Sequence, residues 1–418
     1  MTSFDCIIVG SGHGGAQAAH ALRQYGFVGS IALIGSEPDL PYDRPSLSKD
    51  YLAGEKTFDR LQLRPGAYWD QQRITLLPGR RVTGVSAAQR QLTCGDGRNF
   101  GFEALIWAAG GTPRPLSCTG HDHPAVHYLR DKADCDRLLA ALPACRHVAI
   151  IGGGFIGLEA AAVLRGMEKH VTVIEAQDRV LARVSGVEVS RFYEAEHRAR
   201  GVEILLGGGL GSIRGDDAAE LHLSDGRVLS ADLVIVGIGL VPATEVLQQA
   251  GAETRQGILV DQRCQSSLPG IYCIGDCAVL RDGPGIRIES VQNANDQAGI
   301  AARAICGQAV PNAATPWFWS NQYDLKLQTM GLNLGHDATV LRGDPGKRSF
   351  SLLYLRQGSV IAADCINATR DYVQSRQLIE AGRLIPQAIL ADTSIPLKAM
   401  AETAGDLAFQ HNNGGGSR

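Results

Sequence analysis

Three observations predict an α/β chain with a separate α+β domain at its end. The stretches Phe4–Leu22 and His147–Glu175 each read as an apolar strand, a glycine turn and a helix. In both cases a second apolar run follows and stops at an acid, Glu37 or Glu175. The last hundred residues change character, with short alternating runs and no glycine pattern. Together these features describe two Rossmann-like dinucleotide-binding domains followed by an α+β domain. The expected division is 1–111 and 243–318 for the first dinucleotide domain, 112–242 for the second, and 319–418 for the last.

The first unit begins with Ile7, Ile8 and Val9, a β-branched run suited to a buried parallel strand. Gly10, Gly12 and Gly15 then give the spacing G-x-G-x-x-G. The first glycine permits the tight turn, the second lets the backbone approach a pyrophosphate, and the third lets helix and strand pack closely. The phosphates then rest on unpaired amides at the helix start. Ser30–Gly35 supplies the second strand, and Glu37 lies 22 residues beyond Gly15, close to the ~20 expected of an acid that binds ribose hydroxyls. The second unit repeats the design. Gly152, Gly154 and Gly157 carry the same spacing, and Glu175 follows 18 residues after the third glycine. Two complete units imply two dinucleotides, most simply one flavin held permanently and one nicotinamide coenzyme that comes and goes.

Glu37–Lys49, EPDLPYDRPSLSK, has three prolines and no periodicity, and reads as a loop built to contact something. Leu105–Pro113 is a strand ending in glycine and proline, a natural exit from the first domain, and Ala231–Pro242 resembles the return. Ile271–Ile274 delivers Asp276 to a strand's carboxyl end, where ligands of open α/β sheets bind. The competing role for Asp276 is to cap the helix Gln292–Ile305. His121, His123 and His127 sit in one segment without cysteines or acids arranged to complete a metal site, so a polar loop is expected and no metal. Phe350–Leu355 and Val360–Ile366 read as antiparallel strands, Arg370–Ala381 and Pro396–Ala401 as helices, and Pro316–Gly331 opens this domain with three consecutive aromatics.

Composition narrows the function. The chain has 418 residues, 44% of them hydrophobic, 50 glycines and a net charge of −3. No basic face points to nucleic acid, and no apolar run approaches the ~18 residues of a membrane span. Asp5 enters a strand at once, unlike a secretory signal, and the cytoplasm is the expected compartment. Ten scattered cysteines without a C-x-x-C pair read as reduced thiols. Cys273 and Cys277, which bracket Asp276, read as structural. The glycine-rich tail His411–Arg418 reads as a flexible extension.

On these residues the chain resembles the FAD-dependent, NADH-using ferredoxin reductases of bacterial oxygenase systems, a glutathione-reductase-like FAD/NAD-linked family that includes putidaredoxin reductase, rubredoxin reductase and the reductases of aromatic-ring dioxygenases. Gly10–Gly15 and Glu37 match its first nucleotide motif, which holds FAD. Pro41, Tyr42, Arg44, Pro45 and Leu47–Lys49 match a loop lying against the flavin. Gly152–Gly157 and Glu175 match the NADH motif, which with Ile156, Glu159, Arg183 and Gly239 forms the nicotinamide set. Ala109, Gly110, Gly275 and Asp276 match further FAD segments, and Glu289, Ser290, Val291 and Trp319 match segments beside the isoalloxazine. Trp317 and Asn321 depart from the usual Tyr and Asp of the family's aromatic stretch, and Ala109 from the usual Thr.

The resemblance implies tightly bound FAD, NADH as donor, and a 2Fe-2S ferredoxin as acceptor, in a monomer or homodimer. It assigns Lys49 to the flavin N5 edge with Glu159 as its partner, and Trp319 to stacking near the flavin. A carboxylate at Glu175 favours NADH over NADPH, while Arg179 and Arg183 could tolerate a 2′-phosphate. The loop Arg44–Asp50 lacks the cysteine that NADH oxidases and peroxidases place there. Two other readings stay open: reduction of a small acceptor such as monodehydroascorbate or a quinone, and a binding flavoprotein of the apoptosis-inducing-factor type.

Overall fold

The computed structural model describes residues 1–216, 218–311 and 314–402, so the tail His411–Arg418 lies outside the described residues. Two compact units emerge. The first comprises Met1–Arg114, Leu129–Asp136 and Gly239–Ala314; the second comprises Pro115–Tyr128, Arg137–Ile238 and the chain from Thr315 onward.

In the first unit, strand β1 (Thr2–Val9) lies between β2 (Ile31–Ile34) and the long strand Asn99–Trp107, parallel to both. Ile74–Leu77 extends the sheet beyond β2, and Ile271–Cys273 pairs parallel with Asn99–Trp107 on the far side. The alternation of β1 explains its unbroken apolar run. Cys6 and Ile8 join one core, with α1 (His13–Gln24) and the helix Val291–Ile305, while Ile7 and Val9 join the core on the opposite face. A sheet covered on both faces needs apolar residues at every position.

Register decides where the site forms. Val9 pairs with Ile34 and with Trp107, and Trp107 pairs with Cys273. Four parallel strands therefore end level, and the residues that follow them, Gly10, Gly35, Ala108 and Ile274, crowd one edge. The exit and return segments also meet: Gly111–Pro113 pairs antiparallel with Leu240–Pro242. The helix Val291–Ile305 is capped by Ser290, whose Oγ accepts the Asn293 amide, and Asp276 is free for another task.

In the second unit β3 (His147–Ile151) is flanked by β4 (His170–Glu175) and Leu233–Val236, within a five-stranded parallel sheet. Helix α2 (Phe155–Gly166) joins β3 to β4, and α3 (Val187–Ala199) follows. The same unit contains a five-stranded antiparallel sheet that starts with β5 (Trp317–Gln322). One face of that sheet buries Leu353, Leu355, Val360 and Cys365 under the helices Thr369–Ala381, Gln387–Ala391 and Leu397–Glu402. The other face meets α3, where Phe192 packs edge-on against Phe350 at 5.0 Å.

Candidate functional site: two glycine cradles

The two glycine loops are built alike. Gly10 and Gly152 have φ of +109° and +108°, the left-handed region that glycine tolerates. A Cβ there would stand 2.2 Å from the Ala108 carbonyl oxygen, or 2.5 Å from that of Gly237. Gly15 and Gly157 let helix meet strand, since a Cβ would lie 1.8 or 2.1 Å from the oxygen of the loop's first glycine. Gly12 and Gly154 differ: a Cβ at either would meet nothing within 4 Å. Both are N-caps of 12-residue helices, and no side chain caps either one. Packing therefore demands glycine at the first and third positions. At the second no packing contact demands it; glycine suits the N-cap, and there the first-turn amides lie open to an approaching ligand. This geometry fits the pyrophosphate of a dinucleotide in each unit.

Around the first cradle Glu37 is held from two sides. Tyr42 donates its hydroxyl to Glu37 Oε2 at 2.5 Å, and Arg44 donates to Oε1 at 2.6 Å. Arg44 also donates to the Arg130 carbonyl at 2.5 Å, so its guanidinium braces the acid. Burial, reinforced by Glu37, pushes the Tyr42 hydroxyl far above its ordinary range, and it remains a donor. Burial opposes the charge on Arg44, but Tyr42 and Glu37 outweigh it and hold the guanidinium charged. Pro45 opens the short 3-10 turn Arg44–Ser48, and Lys49 follows, half-buried, with Nζ 3.5 Å from the Pro45 carbonyl.

Asp276 lies at the strand end, 3.6 Å from Arg130. Arg130 donates to the Gly111 carbonyl at 3.1 Å, and a Cβ on Gly110 would come within 3.0 Å of it. Burial first, and then the neighbouring Arg44, lower its pKa against the pull of Asp276 and Glu37. Arg130 belongs to no motif; it sits in an unpatterned stretch and the sequence offers no signal for it. His13 lies within the first glycine motif, but its partner was not legible there: its Nε2 lies 3.0 Å from Asp43 and ties α1 to the loop after Glu37. Gly275 donates its amide to Gln297 of the helix Val291–Ile305 at 2.7 Å. Glu289 is exposed just before that helix, 2.9 Å from Arg287. Ala109 adjoins Gly10, and Gly239 receives the Arg114 amide. Cys273 and Cys277 are buried with sulfurs 3.6 Å apart.

At the second cradle Glu175 receives the Gly153 amide on Oε2 at 2.7 Å and the Gln177 amide on Oε1 at 2.8 Å. Its carboxylate is thus fixed at the sheet end beside the glycine loop. Arg179 is spent locally, donating to the Ser185 and Ala182 carbonyls and to Ser190 Oγ. Arg183 is exposed on the same loop. Ile156 is 48% exposed on the first turn of α2, an apolar side chain left at the open edge beside Gly154. Glu159, one turn further on, is buried and accepts the Ser320 hydroxyl at 2.6 Å. Phe318 packs against Phe155 at 4.7 Å, and Trp319 lies on the opposite face of β5, 5.5 Å from Trp317. His123 accepts the Ala125 amide and approaches the Gly215 carbonyl at 3.2 Å.

Two open cradles, each with a braced acid at the sheet end, define a protein built to take two dinucleotides. The chain belongs to the pyridine nucleotide-disulphide oxidoreductase family, whose model matches residues 4–298, with a reductase C-terminal domain matching 317–401. It is 53% identical to a ferredoxin–NAD(P)(+) reductase of a Sphingomonas species, over 95% of this chain and 97% of that one. It is 52% identical to the 5,5′-dehydrodivanillate O-demethylase ferredoxin reductase subunit of a Sphingobium species, over 97% and 100%. Putidaredoxin reductase of Pseudomonas putida is 38% identical over 95% and 97%. Among solved structures, the covalent putidaredoxin reductase–putidaredoxin complex matches with a TM-score of 0.91 and 37% identity, over 96% of this chain and all of that one.

Proposed function

We propose that this protein takes electrons from NADH and delivers them through FAD to a ferredoxin that serves a bacterial oxygenase. It is an FAD-dependent oxidoreductase of the ferredoxin–NAD(+) reductase type. The observation that carries the reading is the pair of open second glycines, Gly12 and Gly154, one in each unit. The relatives named as ferredoxin reductases support the acceptor. A bound flavin supplies the essential chemistry, accepting a hydride and releasing electrons singly.

The chain's own residues bind and orient. Gly10–Gly15 and the α1 amides receive the FAD pyrophosphate, Glu37 its adenosine ribose, and Arg130 offsets phosphate charge. Asp276 addresses the flavin's sugar-alcohol chain. Gly152–Gly157 and Glu175 hold NADH, with Ile156 against the coenzyme; Glu175 repels a 2′-phosphate, and with Arg179 committed elsewhere it is Arg183 that is left to attract one. Lys49 supplies positive charge at the reacting edge and Glu159 the counter-charge, while Trp319 stacks close by. The acceptor is a 2Fe-2S ferredoxin, the compartment the cytoplasm, and the assembly a monomer or homodimer. Among the described residues no helix is long and apolar enough to cross a membrane.

The test is cytochrome c reduction by NADH with and without added ferredoxin. Reduction that depends on ferredoxin is expected. Equal rates without it, or rapid turnover of a quinone alone, would favour a small-acceptor reductase.

A further inference from the structure

Helix α3 and strand β5 bury a line of polar side chains that ends on Glu159. Ser320 Oγ donates to Glu159 Oε1 at 2.6 Å, Gln322 Nε2 donates to Ser320 Oγ at 3.2 Å, His197 Nε2 meets Gln322 Oε1 at 2.8 Å, and Tyr323 Oη meets His197 Nδ1 at 3.1 Å. Ser320 and His197 are fully buried, Gln322 is 1% and Glu159 3% exposed. Strand alternation explains the placement: Phe318, Ser320 and Gln322 share the inward face of β5 and meet Phe155, Glu159 and His197 in turn.

The direction of each bond follows from the carboxylate. An ionised carboxylate only accepts, so the single Ser320 proton points at Glu159. Ser320 Oγ must then accept, which turns the Gln322 amide nitrogen toward it and the carbonyl toward His197. A carbonyl only accepts, so His197 carries its proton on Nε2. Its Nδ1 is left to receive the Tyr323 hydroxyl. Burial holds His197 at about 4, with Arg200 adding to that and Gln322 and Glu196 opposing it, so the ring is neutral at pH 7. Tyr323 supplies a separate sign that the chain is built. It occupies a two-residue hairpin turn at φ +56°, where glycine or asparagine is usual. Its ring lies under Arg200 at 4.4 Å and its hydroxyl reaches the buried histidine.

We infer that Tyr323, His197, Gln322 and Ser320 form a one-way chain of donors that holds Glu159 in place as a charged, accepting group, with His197 a positioning residue. The inference rests on the reading of Glu159 as a counter-charge in the reaction with NADH. Donors aligned in series polarise one another, so a change at the Tyr323 end reaches the carboxylate. Conversely, removing the charge on Glu159 frees Ser320 to turn, Gln322 to flip and His197 to change tautomer.

Two measurements on the FAD-loaded full chain test this. In protein labelled with 15N-histidine, long-range proton–nitrogen spectra at pH 7 should show His197 with a proton on Nε2 and a bare Nδ1. Glu159→Gln should move that nitrogen pattern. A ring protonated on Nδ1, a charged ring, or a pattern indifferent to Glu159→Gln overturns the chain. In stopped flow, Tyr323→Phe and Gln322→Leu should lower the limiting rate of flavin reduction about 10-fold, the scale of one weakened hydrogen bond to a charge. The apparent Kd for NADH and the flavin content should stay within twofold. Unchanged limiting rates with a raised Kd refute a positioning role. Should Glu159→Gln itself reduce flavin at the wild-type rate, the counter-charge reading fails, and the tautomer still decides the chain.

Discussion

Alanine at Gly154 and alanine at Gly157 add the same methyl group three residues apart and should have opposite effects. Gly154 has φ −81° and ψ −176°, extended backbone open to any residue, and its new Cβ would meet no protein atom within 4 Å. Lower unfolded-chain entropy gains ~0.4–1 kcal/mol, and alanine is a poorer N-cap by a similar amount. Folding stability should therefore shift by less than about 1 kcal/mol. On the proposed reading the methyl would stand where a pyrophosphate meets the α2 amides. Loss of one charge-assisted hydrogen bond costs ~1.5–3 kcal/mol, which raises the NADH Kd roughly 10- to 100-fold. At Gly157 the methyl falls 2.1 Å from the Gly152 carbonyl oxygen and 3.3 Å from the Ile150 side chain. That oxygen belongs to a turn fixed at φ +108° and cannot retreat. Overpacking of this kind costs ~1–3 kcal/mol or more. Thermal unfolding of the flavin-loaded variants and the NADH dependence of flavin reduction read both effects. An unaltered NADH Kd in Gly154→Ala, or wild-type stability in Gly157→Ala, would refute the cradle argument.

Other substitutions probe the remaining parts. Glu175→Ala removes the carboxylate proposed to repel a 2′-phosphate, so the proposed preference for NADH over NADPH in kcat/KM should narrow by about 10-fold or more; an unchanged ratio moves selectivity elsewhere. Lys49→Met should slow flavin reduction by saturating NADH, with a wild-type rate removing lysine from the reacting edge. Asp364 is buried, and lost hydration pushes its carboxyl up to about 6 against the pull of Tyr354 and Ser185. Between pH ~4 and ~6 the unfolded chain releases a proton that the folded chain keeps, so stability falls as pH rises through that window and levels above it. Asp364→Asn cannot titrate, so the wild type should lose ~3 kcal/mol relative to it across the window. Parallel pH profiles of the two denaturation midpoints would show that Asp364 does not drive the effect.

What could be read from the sequence was local. Gly10, Gly12 and Gly15 announce themselves because turn, approach and close packing each act over a few residues, and the second set repeats them. The strand feeding Asp276 was legible for the same reason, whereas the cap of the following helix was not: Ser290 fills it from the adjacent residue. Long-range pairings left no pattern. Arg44 sits in a recognisable loop, yet its partners are Glu37 and the distant Arg130 carbonyl. Arg130 itself, and the His197–Gln322 pair, join elements far apart in the chain. Their chemistry comes from what the fold places beside them and not from spacing.

The account depends on two coenzymes working in succession, and anaerobic titration of the purified, flavin-loaded protein with NADH tests it most directly. One NADH per flavin should bleach the visible flavin bands, and oxidised ferredoxin should restore them. A chain that stays colourless when offered FAD, or a flavin spectrum indifferent to NADH, would contradict it.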